Sequence, residues 1–580
     1  MQGLPHRADS SSEQPSLIST PSAEESGRSA PQAQWKGNAV PTGSSRPGSV
    51  FALQGVPVVP ARASSDVSLD SRTPLVSTFL YPNTLTADPT CWQRVTSSTT
   101  SDAPAHDSEL ADGYYGGSSA FAFVSKVPRE TQNLEGVHLH HGQAVGSAST
   151  SPQGLHDKTR NQGPANGAWA KQLPERILAD NLVDAYFDRV HPLYPFLHEG
   201  SFRAEYENMW GNGDQAQCRR SWFGLANAVF ALGCEFCEDV VANSLDVTVT
   251  CFLDRSRSVV LPQISKRGSL EHVQALLLLC HYLQGALELN ECWTLAGWMI
   301  RTAYSIGLHL DADSLSISSV EKEVRKRAWW GCFALDQTLS MKFGRPASMR
   351  LEDAQSVPHP LAVDDQYIHH EARLPRQPIG RPSIIEFFNH TIQLTCLIDD
   401  ILRNLYSTTK RVARRGHVDS MVPEQQLAEL IVLDERLRSW WHRKPSHLAL
   451  NSPKWDSPVY RRQQTVTRIR YLQIMILLQR PLLLMFSRES VEDELIHTIA
   501  LAGSQTCLAA ALESMRLISE QYHQQRLNSI SYNLHYVFTS LGVLLHMQNM
   551  DRSKLTLVDP EQLMASSDAL DHGMEFPEEC

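Results

Sequence analysis

The chain has 580 residues, of which 42% are hydrophobic and 20% charged, and a formal net charge of −11. That length exceeds what one compact core usually needs, and the acidic balance argues against a chain that grips DNA unaided, because neutralising phosphates takes clustered lysine and arginine. Eleven cysteines without a repeating framework suit a reducing compartment, and the opening MQGLPHRADSSSEQ lacks the apolar run of a signal peptide. The greasiest stretch, YLQIMILLQRPLLLMF (471–486), is interrupted by Gln479, Arg480 and Pro481 and reads as too short and too polar to span a bilayer. A soluble intracellular protein is expected.

Residues 1–170 are rich in Ser, Pro, Gly, Thr, Ala and Gln without a sustained period. Such a segment buries too little apolar area to offset chain entropy, so it is expected to be a disordered low-complexity region. FALQGVPVVPA (51–61) is apolar but broken by prolines. YYGGSSAFAFVSKV (114–127) is aromatic; it reads as a sticky but unfolded spot, with docking on a partner or on the folded part as the alternative. GVHLHHG (136–142) groups His138, His140 and His141, yet a metal site needs further ligands and a folded frame.

Order is expected from Leu173, with Pro174 at a first helical turn and Leu178, Leu182, Ala185 and Tyr186 on the apolar face. LVDAYFDRVHPLYPFLHEGSF (182–202) leaves the helix at His191-Pro192, and Pro192 and Pro195 force an extended turn. Ser201 is placed to cap the next helix. SWFGLANAVFALGCEFCED (221–239) reads as a helix whose Cys234 and Cys237 form a CxxC; without a second knuckle these read as packed core thiols. SLEHVQALLLLCHYLQGALELN (269–290) is another amphipathic helix.

Two further helices follow in 291–351, ending at Gly307 and Gly344, since glycine past a helix end takes positive φ freely. Trp293, Ala296, Ile300, Ala303 and Tyr304 stripe the first; Trp329, Cys332, Phe333, Asp336, Leu339 and Phe343 stripe the second. Ser318 and Glu321 have capping-box spacing, and Lys322, Arg325, Lys326 and Arg327 read as a solvated entrance. Residues 352–383 hold five prolines and read as a crossing loop. SIIEFFNHTIQLTCLIDDILRNLYS (383–407), LAELIVLDERLRSWWHRKPSHL (427–448), YRRQQTVTRIRYLQIMILLQRPLLL (460–484), LAGSQTCLAAALESMRLISEQY (501–522) and SISYNLHYVFTSLGVLLHM (529–547) complete the helical set. Asp399-Asp400 lacks the further carboxylate of a metal-binding DDxxD cluster and reads as two solvent-facing aspartates. KRVARR (410–415) is a short basic run, open to nuclear import or to a wet helix end. Helix after helix with short links and no alternating strand signal predicts an all-α multi-helix array.

The pairing of a GLHLD helix end with RKRAWWGCFALDQTLSMKFGRP resembles the centre of the fungal-specific transcription factor domain, the regulatory region of fungal zinc-cluster regulators. The aromatic-proline elbow, ALLLLCHYLQ, RYLQIMILLQRPLL, CLAAALESMRLI and YVFTSLGVLLH are similar to further segments of that family in its order, so the likeness covers about 174–548. It implies a regulatory domain over 171–550, preceded by the disordered 1–170 and followed by an acidic flexible tail, 551–580. It also implies a non-enzymatic nuclear regulator of RNA polymerase II genes, specific to a pathway, with secondary metabolism among the candidates. Homo- or heterodimers with other transcription factors and a small-molecule effector are its expected partners; a membrane is not. Family members carry a basic six-cysteine module that binds two zinc ions, whereas residues 1–217 hold one cysteine, Cys91. Two tetrahedral zinc sites cannot be made there. No cofactor is therefore expected in this chain, and DNA contact is expected only indirectly or through a missing N-terminal module.

An effector pocket is sought at Trp293, Trp298, Trp329 and Trp330, with Arg301, Asp336 and Arg345 as polar handles. The same residues are more readily read as core, with Asp336 paired to Arg301 or Arg345. Two other functions compete. An all-α isoprenoid-type enzyme would need a carboxylate cluster or a phosphate loop that the chain does not spell, and a helical scaffold would need an internal repeat that it does not contain.

Overall fold

Ser318 accepts a hydrogen bond from Glu321 N at 3.2 Å and starts a 25-residue helix, Ser319–Phe343, which Gly344 stops at φ +67°. Ser119, Ser269 and Ser457 cap the starts of three other helices in the same way. The computed structural model describes residues 115–126, 173–211, 219–237, 249–286, 288–370, 374–406, 424–487, 493–523, 530–566 and 569. Among these there is no strand. In chain order the helices are α1 Ala120–Val124, α2 Arg176–Ala185, α3 Glu199–Gly211, α4 Arg220–Cys234, α5 Val249–Ile264, α6 Leu270–Gly285, α7 Leu289–Ser305, α8 Ser319–Phe343, α9 Leu351–Ala354, α10 Ile385–Ile401, α11 Glu424–His442, α12 Pro458–Phe486, α13 Glu494–His523, α14 Ile530–Gln548 and α15 Arg552–Leu555. The all-α array expected from the periodicity is what the described residues form.

Two apolar cores organise these helices. The first joins α2, α4, α5, α6 and α7 with Trp329, Trp330 and Phe333 of α8. The second joins α11, α12, α13 and α14 with Leu394, Leu397, Ile398 and Ile401 of α10. Helices α8 and α10 serve both: Met341 belongs to the second core, while Phe388 and Ile392 belong to the first. Helices α12 and α13 are long and apolar enough to cross a bilayer by length and composition, so Pro481 does not break the greasy run as its sequence suggests. The apolar window of α12 is, however, 83% buried against protein, as befits a core helix.

Several local expectations are corrected. Helix α3 begins before Ser201, and the capping role falls to His198, whose Nδ1 accepts from Ser201 N at 3.1 Å. The entrance to α8 is not solvated along its length: Arg327 is fully buried and Lys326 nearly so, because the 359–368 loop folds over Arg327 and Asp313 pairs with Lys326. Helix α5 carries no strong sequence signal and holds Pro262 within it. The aromatic 114–127 stretch is not simply a sticky spot: its residues 115–126 are docked on the fold, with α1 capped by Ser119 and Phe123 buried between α12 and α14. The tail does not fray at 551, since Val558 and Ser566 are buried. FALQGVPVVPA, the histidines at 138–141 and KRVARR fall outside the described residues.

Candidate functional site

The seven residues sought as a pocket do not converge. Trp329 and Trp330 are fully buried and fasten the chain that follows α8, their indole N–H groups donating to Ala354 O and Pro358 O at 3.2 Å each. Trp293 is half-buried, edge-on to Phe343, while Trp298 and Arg301 are exposed. The Arg345 guanidinium lies over the rings of Phe343, Trp293 and Tyr115, at 4.8, 5.2 and 5.8 Å. For Trp329 and Trp330 the core reading is therefore the right one.

Asp336 does not pair with Arg301 or Arg345. Its Oδ2 accepts from Met349 N at 2.7 Å and Ser348 N at 2.8 Å, pinning the chain as it turns back over α8. A short loop has two backbone N–H groups to satisfy, and a carboxylate one helical stripe away is placed to take both. Burial raises the Asp336 carboxyl to about 6 even though these N–H groups oppose the rise, and Asp399 adds to it. Replacing Asp336 with alanine is expected to cost about 2 kcal/mol, because it leaves those two donors without an acceptor. Asp336→Asn keeps an acceptor and loses the ionisation. A carboxyl with a raised folded pKa holds its proton in the folded state from about pH 4 to 6, so stability falls as pH rises through that window. Urea midpoints at pH 4.5 and 7 should show the parent losing more stability than Asp336→Asn between the two.

Asp399 and Asp400 are not a solvent-facing pair. Asp399 is buried, accepts from Gln337 Nε2 at 3.1 Å and pairs with Arg403, while Asp400 pairs with Arg436 at 2.6 Å. Each carboxylate is spent on a helix contact. In the CxxC, Cys234 is buried and Cys237 Sγ lies 3.5 Å from Asn181 O. Burial pushes the Cys234 thiol up to about 12, which suits a packing role.

A partly open cavity occurs elsewhere. It has a volume of about 160 Å³ and lies where the two cores meet, walled by α6, α8, α10, α12, α14, the 190–196 elbow, Phe236 and Gln521 of α13. Its apolar lining includes Phe196, Leu335, Phe388, Leu394, Ile398 and Ile469. Its polar lining includes Lys342, Arg470, His281, Gln284, Thr391 and Tyr536, and no Asp or Glu among the described residues. Lys342 Nζ donates to Gln284 Oε1 at 3.0 Å. Arg470 donates to Thr391 Oγ1 and Tyr194 OH at 3.0 Å each and to the Tyr536 hydroxyl. Burial, helped by Arg470, lowers the Lys342 ammonium to about 8. Burial also depresses His281 to about 3, with Arg470 and Lys342 adding to the effect. Sequence reasoning missed this site because eight separated segments build it. The available signal was two cations set in apolar stretches: Lys342 between Met341 and Phe343, and Arg470 between Ile469 and Tyr471.

A cavity between helices, at the seam of two cores, is a place where small-ligand sites commonly occur. Residues 183–442 match the family model of the fungal specific transcription factor domain. Over that segment the chain is similar to that family. It is 26% identical to transcription factor FBD3 of Fusarium pseudograminearum over 468 residues, covering 74% of this chain and 59% of that protein. It is 28% identical over 364 residues to the sorbicillinoid biosynthetic cluster transcription factor 2 of Penicillium rubens, covering 60% of this chain and 50% of that one. It is 24% identical over 385 residues to activator of stress genes 1 of Saccharomyces cerevisiae, covering 64% and 38%. The chain thus spans about half the length of the curated relatives it matches.

Proposed function

We propose that this chain regulates transcription of RNA polymerase II genes in the nucleus, that it serves one pathway, and that its helical array is the control element. The observation that carries this reading is the family match over 183–442, supported by relatives that are named transcription factors. The likeness to a sorbicillinoid cluster regulator supports a secondary-metabolism pathway as the first to test. Reading of the DNA is assigned to another module, because residues 1–217 hold a single cysteine where two zinc ions would need six thiolates. A non-catalytic role accords with carboxylates such as Asp336, Asp399 and Asp400 being committed to structural partners.

The full chain should be fused to a heterologous DNA-binding domain and placed over a reporter carrying that domain's sites. Reporter output is expected to move several-fold from that of the DNA-binding domain alone, and the purified unfused chain should leave duplex oligonucleotides unbound at physiological salt. A fusion indistinguishable from the DNA-binding domain alone would refute the control role.

A further inference from the structure

Buried cations elsewhere in this fold are compensated. Arg327 has two carboxylates, and Lys326 has Asp313 at 2.7 Å. Arg480 takes the carbonyls of Ser118 and Ser119 at 2.9 and 3.4 Å and lies over the Phe123 ring. Lys342 and Arg470 differ. Both are half-buried and line the cavity, and neither makes an ion pair among the described residues. Their partners there are neutral: one amide oxygen for Lys342 and three hydroxyls for Arg470. Two positive charges facing one space without a carboxylate are costly; burial keeps His281 from adding to them, while Arg462, also in the lining, donates to Arg189 O and lies over the Phe236 ring. An anion entering the space would remove that cost and form charge-assisted hydrogen bonds with both.

We propose that the cavity at the seam of the two cores binds a small organic anion, its carboxylate held between Lys342 and Arg470 and its apolar body seated against Phe196, Leu335, Phe388 and Leu394. The size of the space sets the ligand's size: a protein cavity of about 150 Å³ holds a benzene-sized molecule. The walls argue against an inorganic ion, which would desolvate against Phe196 and Leu335 without gain. Lys342 lies on α8 and Arg470 on α12, so occupancy ties a helix shared by both cores to the central helix of the second. Whether binding alters gene output rests on the regulatory reading above; binding itself does not.

The test uses the full chain and matched probes: benzoate, phenylacetate and 3-methylbutanoate, their three primary amides, and inorganic phosphate. Thermal melting and calorimetric titration read binding. At least one carboxylate is expected to raise Tm in a saturable manner, with its amide and phosphate inert. Lys342→Met should weaken that carboxylate at least about tenfold, the loss of one hydrogen bond to a charged group, while leaving the ligand-free Tm unchanged or higher. A merely structural Lys342 would instead lower the ligand-free Tm. Arg470→Gln gives a second reading should one variant fail to fold. Equal binding of acids and amides, a response to phosphate matching that to the acids, no response to any carboxylate, or undiminished binding in Lys342→Met would each overturn the proposal. In the reporter assay, a bound acid without effect on output would count against the regulatory reading alone.

Discussion

Replacing Arg327 with leucine is expected to destabilise the folded chain by about 3–5 kcal/mol, the loss typical of removing one partner from a buried ion pair. Arg327 is fully buried, with Asp365 Oδ1 at 2.6 Å from Nη1 and Glu323 Oε1 at 3.1 Å from Nε. Each acid is also committed elsewhere. Asp365 Oδ2 accepts from Glu199 N at 2.8 Å, at the start of α3, and lies 3.2 Å from His191 Nε2. Glu323 Oε1 accepts from Leu361 N at 3.0 Å. The guanidinium is therefore the tie between α8, the aromatic-proline elbow and the 359–368 loop, and without it two carboxylates stay buried with only neutral donors and an imidazole. Burial alone would raise the Asp365 carboxyl, but Arg327, and then His191 and His198, outweigh it and hold the group well below the usual carboxylate range. A carboxyl with a depressed folded pKa contributes stability that is present above its unfolded value near pH ~4 and is lost as pH falls toward the folded one. In Arg327→Leu that contribution goes, and protonating the orphaned acids relieves the variant. The gap between parent and variant should thus be widest at pH 7 and shrink toward pH 4. Urea denaturation at pH 7 and 4.5 reads both, and a variant keeping the parent's midpoint at pH 7 would contradict the assignment.

What could be read from the sequence was what neighbouring residues decide. Ser318 with Glu321 and the positive-φ glycines 307 and 344 act within a few residues of themselves, and local capping is legible for that reason. What could not be read was pairing at a distance. Arg327 looks like the fourth member of a wet basic run until Asp365, 38 residues on, folds over it. Asp336 invites an arginine partner, yet backbone N–H groups of a loop 12 and 13 residues ahead take its oxygen, and backbone donors carry no sequence signature. Asp399 reads as a surface residue because the Gln337 and Arg403 that hold it reveal themselves only once α8 and α10 lie side by side. The cavity is the extreme case. No single segment of its lining is unusual except for one charge in a greasy stretch, a pattern that a helix-by-helix reading assigns to a snorkelling side chain.

Gly344→Val is expected to cost at least about 3 kcal/mol and to release the docked 115–126 segment, because two penalties fall on one residue. The first is backbone strain. Gly344 ends α8 at φ +67°, where a β-branched residue is disfavoured. The second is contact: a Cβ there would come within 2.3 Å of Gly116 C and 2.4 Å of its Cα and O, and all three are backbone atoms that cannot swing aside. Gly116 is held in place by its N–H to Phe343 O at 2.8 Å, with Ser118 Oγ donating to Met341 O at 3.3 Å. Farther along, Phe123 is buried against the His546 ring, 4.6 Å away, and its carbonyl lies 3.2 Å from His546 Nε2. Pushing Gly116 off α8 therefore pulls on Phe123 and strips Arg480 of the Ser118 and Ser119 carbonyls that face it. Gly344→Asn separates the two penalties: asparagine tolerates the left-handed conformation but carries the same Cβ. If contact dominates, Asn and Val should lose similar stability, and both should become open to trypsin after Lys126 in the full chain. If strain dominates, Asn should stay close to the parent and keep the segment protected, and the close approach of the two glycines would then have no bearing on docking.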